Sequence, residues 1–232
     1  MKDTDKWATV TFLAGDNGDG ICVDGDLVIA AKIGSIFGFS YGIRAEEEGS
    51  VTIEEGANIG EIVSGGDRDG IEAAMDVTIK TGAVVGKIIG GYYGIYSSEG
   101  NVTIEEGATV GKIIGGDYGI YVDDGDIYID APVTVSGGDV AFSKEPIIGL
   151  TDSEYNWWAS KKLPYTPTGE GNPGPYVHDD DYKFVKIGGF GEVVPTGFPN
   201  MAGYTAATLA LLIVSAGIWG YIIIRRRKII NN

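Results

Sequence analysis

The chain has 232 residues, of which 38 are glycine, and 33 acidic against 17 basic residues give a formal charge of −16 at pH 7. Glycine follows no G-X-Y period and hydrophobic residues make up 44%, which excludes a collagen helix and a wholly disordered chain. Single cysteine and histidine residues, Cys22 and His178, exclude an intrachain disulfide and a cysteine-based zinc cluster, and the acidic excess disfavours nucleic-acid binding.

The first residues are polar and charged. Met1 to Lys6 reads MKDTDK, and no apolar stretch of the kind found in signal peptides follows it. Three explanations stay open at this point: the chain is a fragment, its start is misassigned, or its membrane topology is inverted.

A seven-residue motif recurs along the body of the chain. VTIEEGA occupies residues 51–57 and again 102–108, and VTIKTGA lies between them at 77–83. The register extends to residues 27–29 and 127–129, with spacings of 24, 26, 25 and 25 residues. A period of this length indicates a solenoid built of stacked units.

Each unit contains three short runs of β-forming residues separated by glycine-rich turns. The second run is represented by VGKII at 85–89, and the third by YGIY at 93–96 and 118–121. Such runs disfavour helices and predict an all-β, parallel β-helix of about 25 residues a coil. We expect five to six coils from about Trp7 to Phe142, wound right-handed, because left-handed hexapeptide helices have a shorter and more regular period.

Alternation along the strands predicts which side chains are buried. Val51 and Ile53 should point inwards with Thr52 outwards, and the equivalent residues of the units at 77 and 102 should do the same. Stacking should place like residues in ladders. We expect one ladder of Ile71, Ile95 and Ile120 and another of Ile62, Ile88 and Ile113.

This repeat texture, over residues 27–142, resembles the β-helix repeat proteins on the surfaces of gut Firmicutes, which are bacteria. The resemblance implies a carbohydrate-binding-like module displayed outside the cell, without an assigned ligand. Because the period stops after Phe142, we place the β-helix domain at residues 1–144.

Residues 145–192 interrupt the period and predict a small β cap or stalk. Candidate strands lie at 155–159 and 182–187, and a Gly/Pro-rich loop separates them. A β-helix needs a cover over its open end. Trp157 and Trp158 would give that cover an apolar inner surface.

Residues 193–201 form a linker that contains Pro195, Thr196 and Gly197. Pro-Thr-Gly ahead of an apolar span and a basic tail is similar to the sortase sorting signal of Gram-positive surface proteins. The resemblance implies that Thr196 is the residue joined to the cell wall. Val194 replaces the leucine of that signal and one residue between proline and threonine is absent, so a plain Pro/Gly linker is the alternative.

Residues 202–224 are uncharged and predict a transmembrane helix. As a helix they reach roughly 34 Å, enough for a bilayer core of about 30 Å, and Trp219 and Tyr221 suit the interface. The tail at 225–232 is basic. The positive-inside rule places it in the cytoplasm and the acidic body outside. The tail's charges are Arg225, Arg226, Arg227 and Lys228. A buried core helix is the alternative.

Tyrosines are the candidate ligand-binding residues. They recur at two repeat positions and could form an aromatic strip that stacks on sugar rings; the alternative is that tyrosine simply suits an exposed strand. The strip consists of Tyr41, Tyr93, Tyr96, Tyr118 and Tyr121.

Acidic turns near Asp16, Asp123 and Asp179 raise the alternative of bound calcium, although none matches an EF-hand loop. No cofactor, metal site or catalytic residue is assigned. The carboxylate pairs at 54–55 and 105–106 lie two coils apart and suggest repeat variation more than an active site.

The sequence therefore predicts a single-pass protein of the cell membrane or cell wall whose extracellular β-helix serves adhesion or glycan binding. Its partners would be the membrane, a glycan or host-surface ligand, and a sortase, with no nucleic acid. A passive scaffold of the cell envelope is the alternative, and a polysaccharide lyase or hydrolase is a third hypothesis.

Overall fold

The computed structural model describes residues 9–10, 13–14, 18–150, 155–168, 171–173 and 175–188, and within them every regular element is a strand. The strands, in chain order, are β1 (Thr9–Val10), β2 (Leu13–Ala14), β3 (Ile21–Asp24), β4 (Leu27–Ile29), β5 (Lys32–Gly38), β6 (Ile43–Glu46), β7 (Val51–Ile53), β8 (Asn58–Ser64), β9 (Ile71–Ala73), β10 (Val77–Ile79), β11 (Val84–Ile89), β12 (Tyr93–Ser97), β13 (Val102–Ile104), β14 (Thr109–Gly115), β15 (Tyr118–Val122), β16 (Ile127–Ile129), β17 (Val133–Gly137), β18 (Val140–Phe142), β19 (Ile147–Ile148), β20 (Asn156–Ser160), β21 (Asn172–Pro173) and β22 (Phe184–Ile187).

These strands wind into a parallel β-solenoid of about five coils, as the repeat predicts. Each coil contributes one strand to each of three sheets. The VTI sheet has the order β19-β16-β13-β10-β7-β4, and the tyrosine sheet has the order β18-β15-β12-β9-β6-β3. The long-strand sheet runs β1-β5-β8-β11-β14-β17 and then continues into β22, β20 and β21, with β2 also paired to β5. Right-handedness of the coil stays a prediction.

Register follows the sequence repeat, so like residues stack. Val77 pairs with Val51 on one side and Val102 on the other, and all three are buried. Both predicted isoleucine ladders are confirmed, because their members pair in register and are fully buried. The interior is a column of β-branched side chains that no single coil could bury alone.

The corner between the VTI sheet and the long-strand sheet is a four-residue turn repeated from coil to coil. In the coil at 80–83 the Ala83 N–H donates to the Lys80 carbonyl oxygen at 2.9 Å, and Gly82 adopts a φ of +76°. Positive φ at the third residue is what a type II turn requires and explains the glycine. Lys80 Nζ lies 2.7 Å from Glu54 Oε1 of the preceding coil, so unlike charges alternate along this corner.

The segment after the repeats closes the C-terminal end. Both predicted strands are present, as β20 and β22, and β22 pairs antiparallel with β17, which makes the cap continuous with the long-strand sheet. Trp157 and Trp158 are buried, as expected of a lid, and the Trp157 ring lies 5.3 Å from that of Tyr176. Tyr176 in turn contacts Phe142, which is paired with Ile120 at the end of the buried isoleucine ladder.

No helix within the described residues is long and apolar enough to cross a bilayer. The Pro195–Gly197 motif, the span predicted at 202–224 and the basic tail lie outside the described residues, as does Trp7.

Candidate functional site

The tyrosine sheet gathers four tyrosines from two adjacent coils. Tyr93 pairs with Tyr118, and Tyr96 with Tyr121, in the register of β12 and β15. All four side chains are half-buried on the outer face of the sheet. We call these four residues the tyrosine cluster.

A glycine explains why tyrosines three residues apart share one face. Strict alternation would send Tyr93 and Tyr96 to opposite faces of β12. Gly94 and Ile95 are instead both buried. A Cβ on Gly94 would lie 2.5 Å from the Gly119 carbonyl oxygen and 2.6 Å from Ile113 Cγ2, so only glycine fits against the next coil.

The four rings pack against one another as well as in register. Tyr93 and Tyr121 stack diagonally across the strands, with ring centroids 4.7 Å apart and an interplanar angle of 15°. Tyr118 meets Tyr121 edge-on at 4.9 Å, and Tyr96 lies 5.4 Å from Tyr93 and 5.8 Å from Tyr121. Contacts of this kind stabilise by about 0.5–1.5 kcal/mol a pair, and here they hold the rings in a fixed arrangement.

Tyr92 enlarges the aromatic surface at its edge. Its side chain is 47% exposed and its ring meets that of Tyr93 edge-on, with centroids 5.5 Å apart. The exposed aromatic area therefore extends from the sheet around the corner that precedes β12.

Carboxylates surround the tyrosine cluster. Asp123 Oδ2 accepts a hydrogen bond from the Tyr96 hydroxyl at 2.7 Å, and Asp117 directly precedes Tyr118. On the preceding coil Glu72 is the register partner of Tyr96, and Asp69 Oδ1 accepts the Tyr93 N–H at 2.9 Å.

The pKa values of the tyrosines reflect this setting. Burial, reinforced by neighbouring tyrosine and carboxylate groups, raises the pKa of Tyr93 to about 12. Burial and the hydrogen bond to Asp123 raise the pKa of Tyr96 to about 12. Both hydroxyls therefore stay neutral throughout the physiological range, and that of Tyr96 donates its proton to Asp123.

Asp69 is a buried acid at a repeat position that holds tyrosine in other coils. Its side chain is only 5% exposed, and burial together with the neighbouring Glu72 raises its pKa to about 7, against the lowering effects of the Tyr93 N–H and Arg68. Glu72 in turn accepts from Arg44 Nε at 3.1 Å. A carboxyl group that exchanges its proton near neutral pH therefore borders the tyrosine cluster.

Tyr41 has the same position in its coil as Tyr93 but lies outside the cluster. The coil that carries Asp69 stands between them, so the predicted five-residue strip is interrupted. Tyr41 is 8% exposed, and its ring lies beneath the guanidinium groups of Arg44 and Arg68, whose Cζ atoms are 4.7 and 5.7 Å from the ring centroid. Four of the five predicted tyrosines therefore form the tyrosine cluster, and Tyr41 lies in a separate cation–π arrangement.

Among the described residues, the other polar candidates are not brought together into a site, and Asp16 lies outside the described residues. Within the described part of the chain, no group of three or more His, Cys, Asp or Glu side chains is arranged to hold a metal ion. Asp179 and Asp181 instead hold Lys161 Nζ at 2.8 and 2.9 Å, and His178 Nε2 lies 3.0 Å from Asp180 Oδ1.

Comparisons with family models, curated proteins and solved structures found no match to this chain.

Sequence reasoning missed Asp69, Glu72 and the two arginines as parts of this face. The position of Asp69 could have been identified from the sequence, because Asp69-Gly70-Ile71 aligns with Tyr93-Gly94-Ile95 and an acid replaces the tyrosine there. The burial of Asp69 and the contacts among these four residues could be obtained only from the register of the coils.

Proposed function

We propose that this protein is a surface-displayed β-solenoid that binds glycans on the tyrosine cluster. The observation that carries the proposal is a fixed, half-exposed group of four aromatic rings on an outer sheet face, bordered by hydrogen-bonding carboxylates. Sugar rings bind proteins by stacking their apolar faces on aromatic rings while their hydroxyls hydrogen-bond to polar groups at the edge.

Display outside the cell is supported by the sequence. The uncharged stretch at 202–224 followed by four basic residues fits a membrane anchor with a cytoplasmic tail. We propose that this anchor holds the solenoid on the cell membrane or cell wall of a bacterium, with Thr196 as the residue that a sortase would join to the wall. Adhesion to a host or neighbouring cell would follow from glycan binding.

The test is a glycan array with the wild-type protein and a Tyr96→Ala/Tyr121→Ala variant. Loss of the two rings removes the stacking surface, and we expect at least about tenfold weaker binding of every glycan that the wild type retains. Circular dichroism of the variant should keep the β-sheet signal, because both side chains lie outside the isoleucine core.

Tyr128→Ala is the matched control. Tyr128 is also half-buried and outward-facing, but it lies on β16 of the VTI sheet. It should bind like the wild type. If the wild type binds no glycan on a broad array, or if the double variant binds equally well, the proposed function is wrong.

A passive scaffold of the cell envelope is the second candidate. It is favoured by the stacking of parallel coils in register, an arrangement that suits a mechanical or architectural role without any ligand. A scaffold predicts no glycan retention by any variant, so the same array separates the two functions.

A further inference from the structure

The charge around the tyrosine cluster is strongly one-sided. Between residues 66 and 143 the chain has 13 acidic and four basic residues. On the face itself Asp117 and Asp123 belong to the coil of Tyr118 and Tyr121, and Asp69 and Glu72 lie on the other side of the cluster, one coil before Tyr93.

The neighbouring arginines already contact carboxylates or the Tyr41 ring. Arg44 is held by Glu72 and Glu46, and its guanidinium lies over Tyr41. Arg68 also lies over the Tyr41 ring. Both are therefore directed to Tyr41, on the earlier coil, and they offset part of the charge of Asp69 and Glu72. On the side of Tyr118 and Tyr121, Lys144 Nζ donates to the Asp123 backbone carbonyl at 3.2 Å, and the carboxylate of Asp123 receives the Tyr96 hydroxyl.

Aromatic faces combined with carboxylates bind cations and repel anions. A ring face attracts a positive charge through its quadrupole, and each nearby carboxylate adds a Coulomb attraction. A uronic acid or another anionic sugar would meet the same carboxylates with a repulsive interaction.

We propose that the tyrosine cluster is selective for cationic glycans, whose amino-sugar residues carry a free, protonated amine. This inference rests on the glycan-binding function proposed above and specifies its ligand class. The sugar ring would stack on the tyrosines while the ammonium group lies towards Asp117 and Asp123.

Titration calorimetry with three oligosaccharides of equal length tests the inference. The probes are a β-1,4-linked glucosamine hexamer, its fully N-acetylated counterpart and a galacturonic acid hexamer, at mildly acidic pH and low salt. We expect the wild type to bind the glucosamine hexamer about tenfold tighter than the N-acetylated hexamer and to bind the galacturonic acid hexamer least.

Charge-removing variants distinguish the site from the general acidity of the molecule. Asp117→Asn/Asp123→Asn should bring the two glucosamine-type affinities to within about twofold of each other, because the variant loses the Coulomb attraction that only the glucosamine hexamer gains. Glu55→Gln/Glu106→Gln removes two exposed carboxylates at the corner between the VTI and long-strand sheets and should preserve the preference. Salt of about 0.5 M should weaken the preference in the wild type.

The outcomes separate the two proposals. If the neutral hexamer binds through the tyrosines and the cationic one binds no tighter, the ligand class is wrong and the glycan-binding function stands. If the glucosamine hexamer binds tightly but Tyr96→Ala/Tyr121→Ala leaves its affinity unchanged, the cation binds elsewhere and this inference is overturned. If none of the three hexamers, nor any glycan on the array, binds, both proposals fail.

Discussion

Asp69 shows how one residue gives the tyrosine face a pH-dependent stability. The acid is buried in the coil between those of Tyr41 and Tyr93, at the equivalent position, and its pKa of about 7 lies far above the ordinary value of 3.8. Between these two values the folded chain binds more protons than the unfolded chain, so the free energy of unfolding falls as pH rises through this window. Above about pH 7 the native state must hold a charged carboxylate with little solvent around it.

We therefore expect Asp69→Asn to be more stable than the wild type at about pH 8 and to lose that advantage towards about pH 5. Asparagine remains neutral and can still accept the Tyr93 N–H, so the variant keeps the backbone contact and avoids burying a charge. The difference in free energy of unfolding should change by an amount on the order of a few kcal/mol across the window.

Denaturant unfolding at several pH values measures this difference. Asp124→Asn, which removes an exposed carboxylate from the turn after β15, is the control and should show little pH-dependent change. A difference between Asp69→Asn and wild type that is constant from about pH 5 to about pH 8 would contradict the burial argument.

At the scale of the element, the corner between the long-strand sheet and the tyrosine sheet decides where the tyrosines lie. The same place is occupied by glycine in four coils, and a Cβ on any of these glycines would overlap the carbonyl oxygen three residues later: Gly38, Gly90, Gly115 and Gly137. Ser64 holds this place in one coil, paired with Gly38. It is tolerated because its corner, from Ser64 to Asp69, is two residues longer than the corner from Gly115 to Tyr118.

This comparison predicts that Gly115→Ala is severely destabilising. The added methyl group meets backbone of its own corner and not the movable end of a side chain, and we expect a loss of more than about 3 kcal/mol in the free energy of unfolding. Tyr118 and Tyr121 follow directly, so the tyrosine cluster should be disturbed as well.

Ser64→Ala is the matched variant at the same place in the coil. It removes a side-chain hydrogen bond to the Ser40 carbonyl and should cost only about 1 kcal/mol. Urea unfolding of both variants compares them directly. Equal losses, or a Gly115→Ala loss below about 1 kcal/mol, would show that the corner can open to admit a side chain.

Much of the fold could be predicted because the same sequence pattern recurs in several coils. Val51, Val77 and Val102 appear at nearly equal spacing in similar contexts, so alternation and stacking assign their burial without any long-range information. The pairing of β22 with β17 could not be obtained in this way, because it joins a strand outside the repeat to one within it. The interruption of the tyrosine row at Asp69 is visible in the repeat, whereas the burial of Asp69 and its hydrogen bond with Tyr93 required the register of the coils.

At the scale of the whole molecule, the solenoid provides a rigid support with one distinctive face. Three parallel sheets share one apolar column, and the cap covers its C-terminal end with Trp157 and Tyr176. The side chains that vary from coil to coil lie on the outside, where a ligand can reach them. This division between a repeated interior and a varied exterior lets the residues of one face change while the fold stays the same.

Protease treatment of intact cells tests most directly whether this face is displayed outside the cell. Lys161 and Lys162 lie in an exposed stretch of the cap and offer trypsin an accessible site, with Lys161 50% exposed. We expect trypsin to release peptides of the cap and solenoid from intact cells while Arg225–Lys228 is cut only after lysis, and a wall-linked peptide ending at Thr196 would add sortase attachment. Cleavage of the basic tail on intact cells, with the solenoid protected, would contradict the proposed topology and surface glycan binding with it.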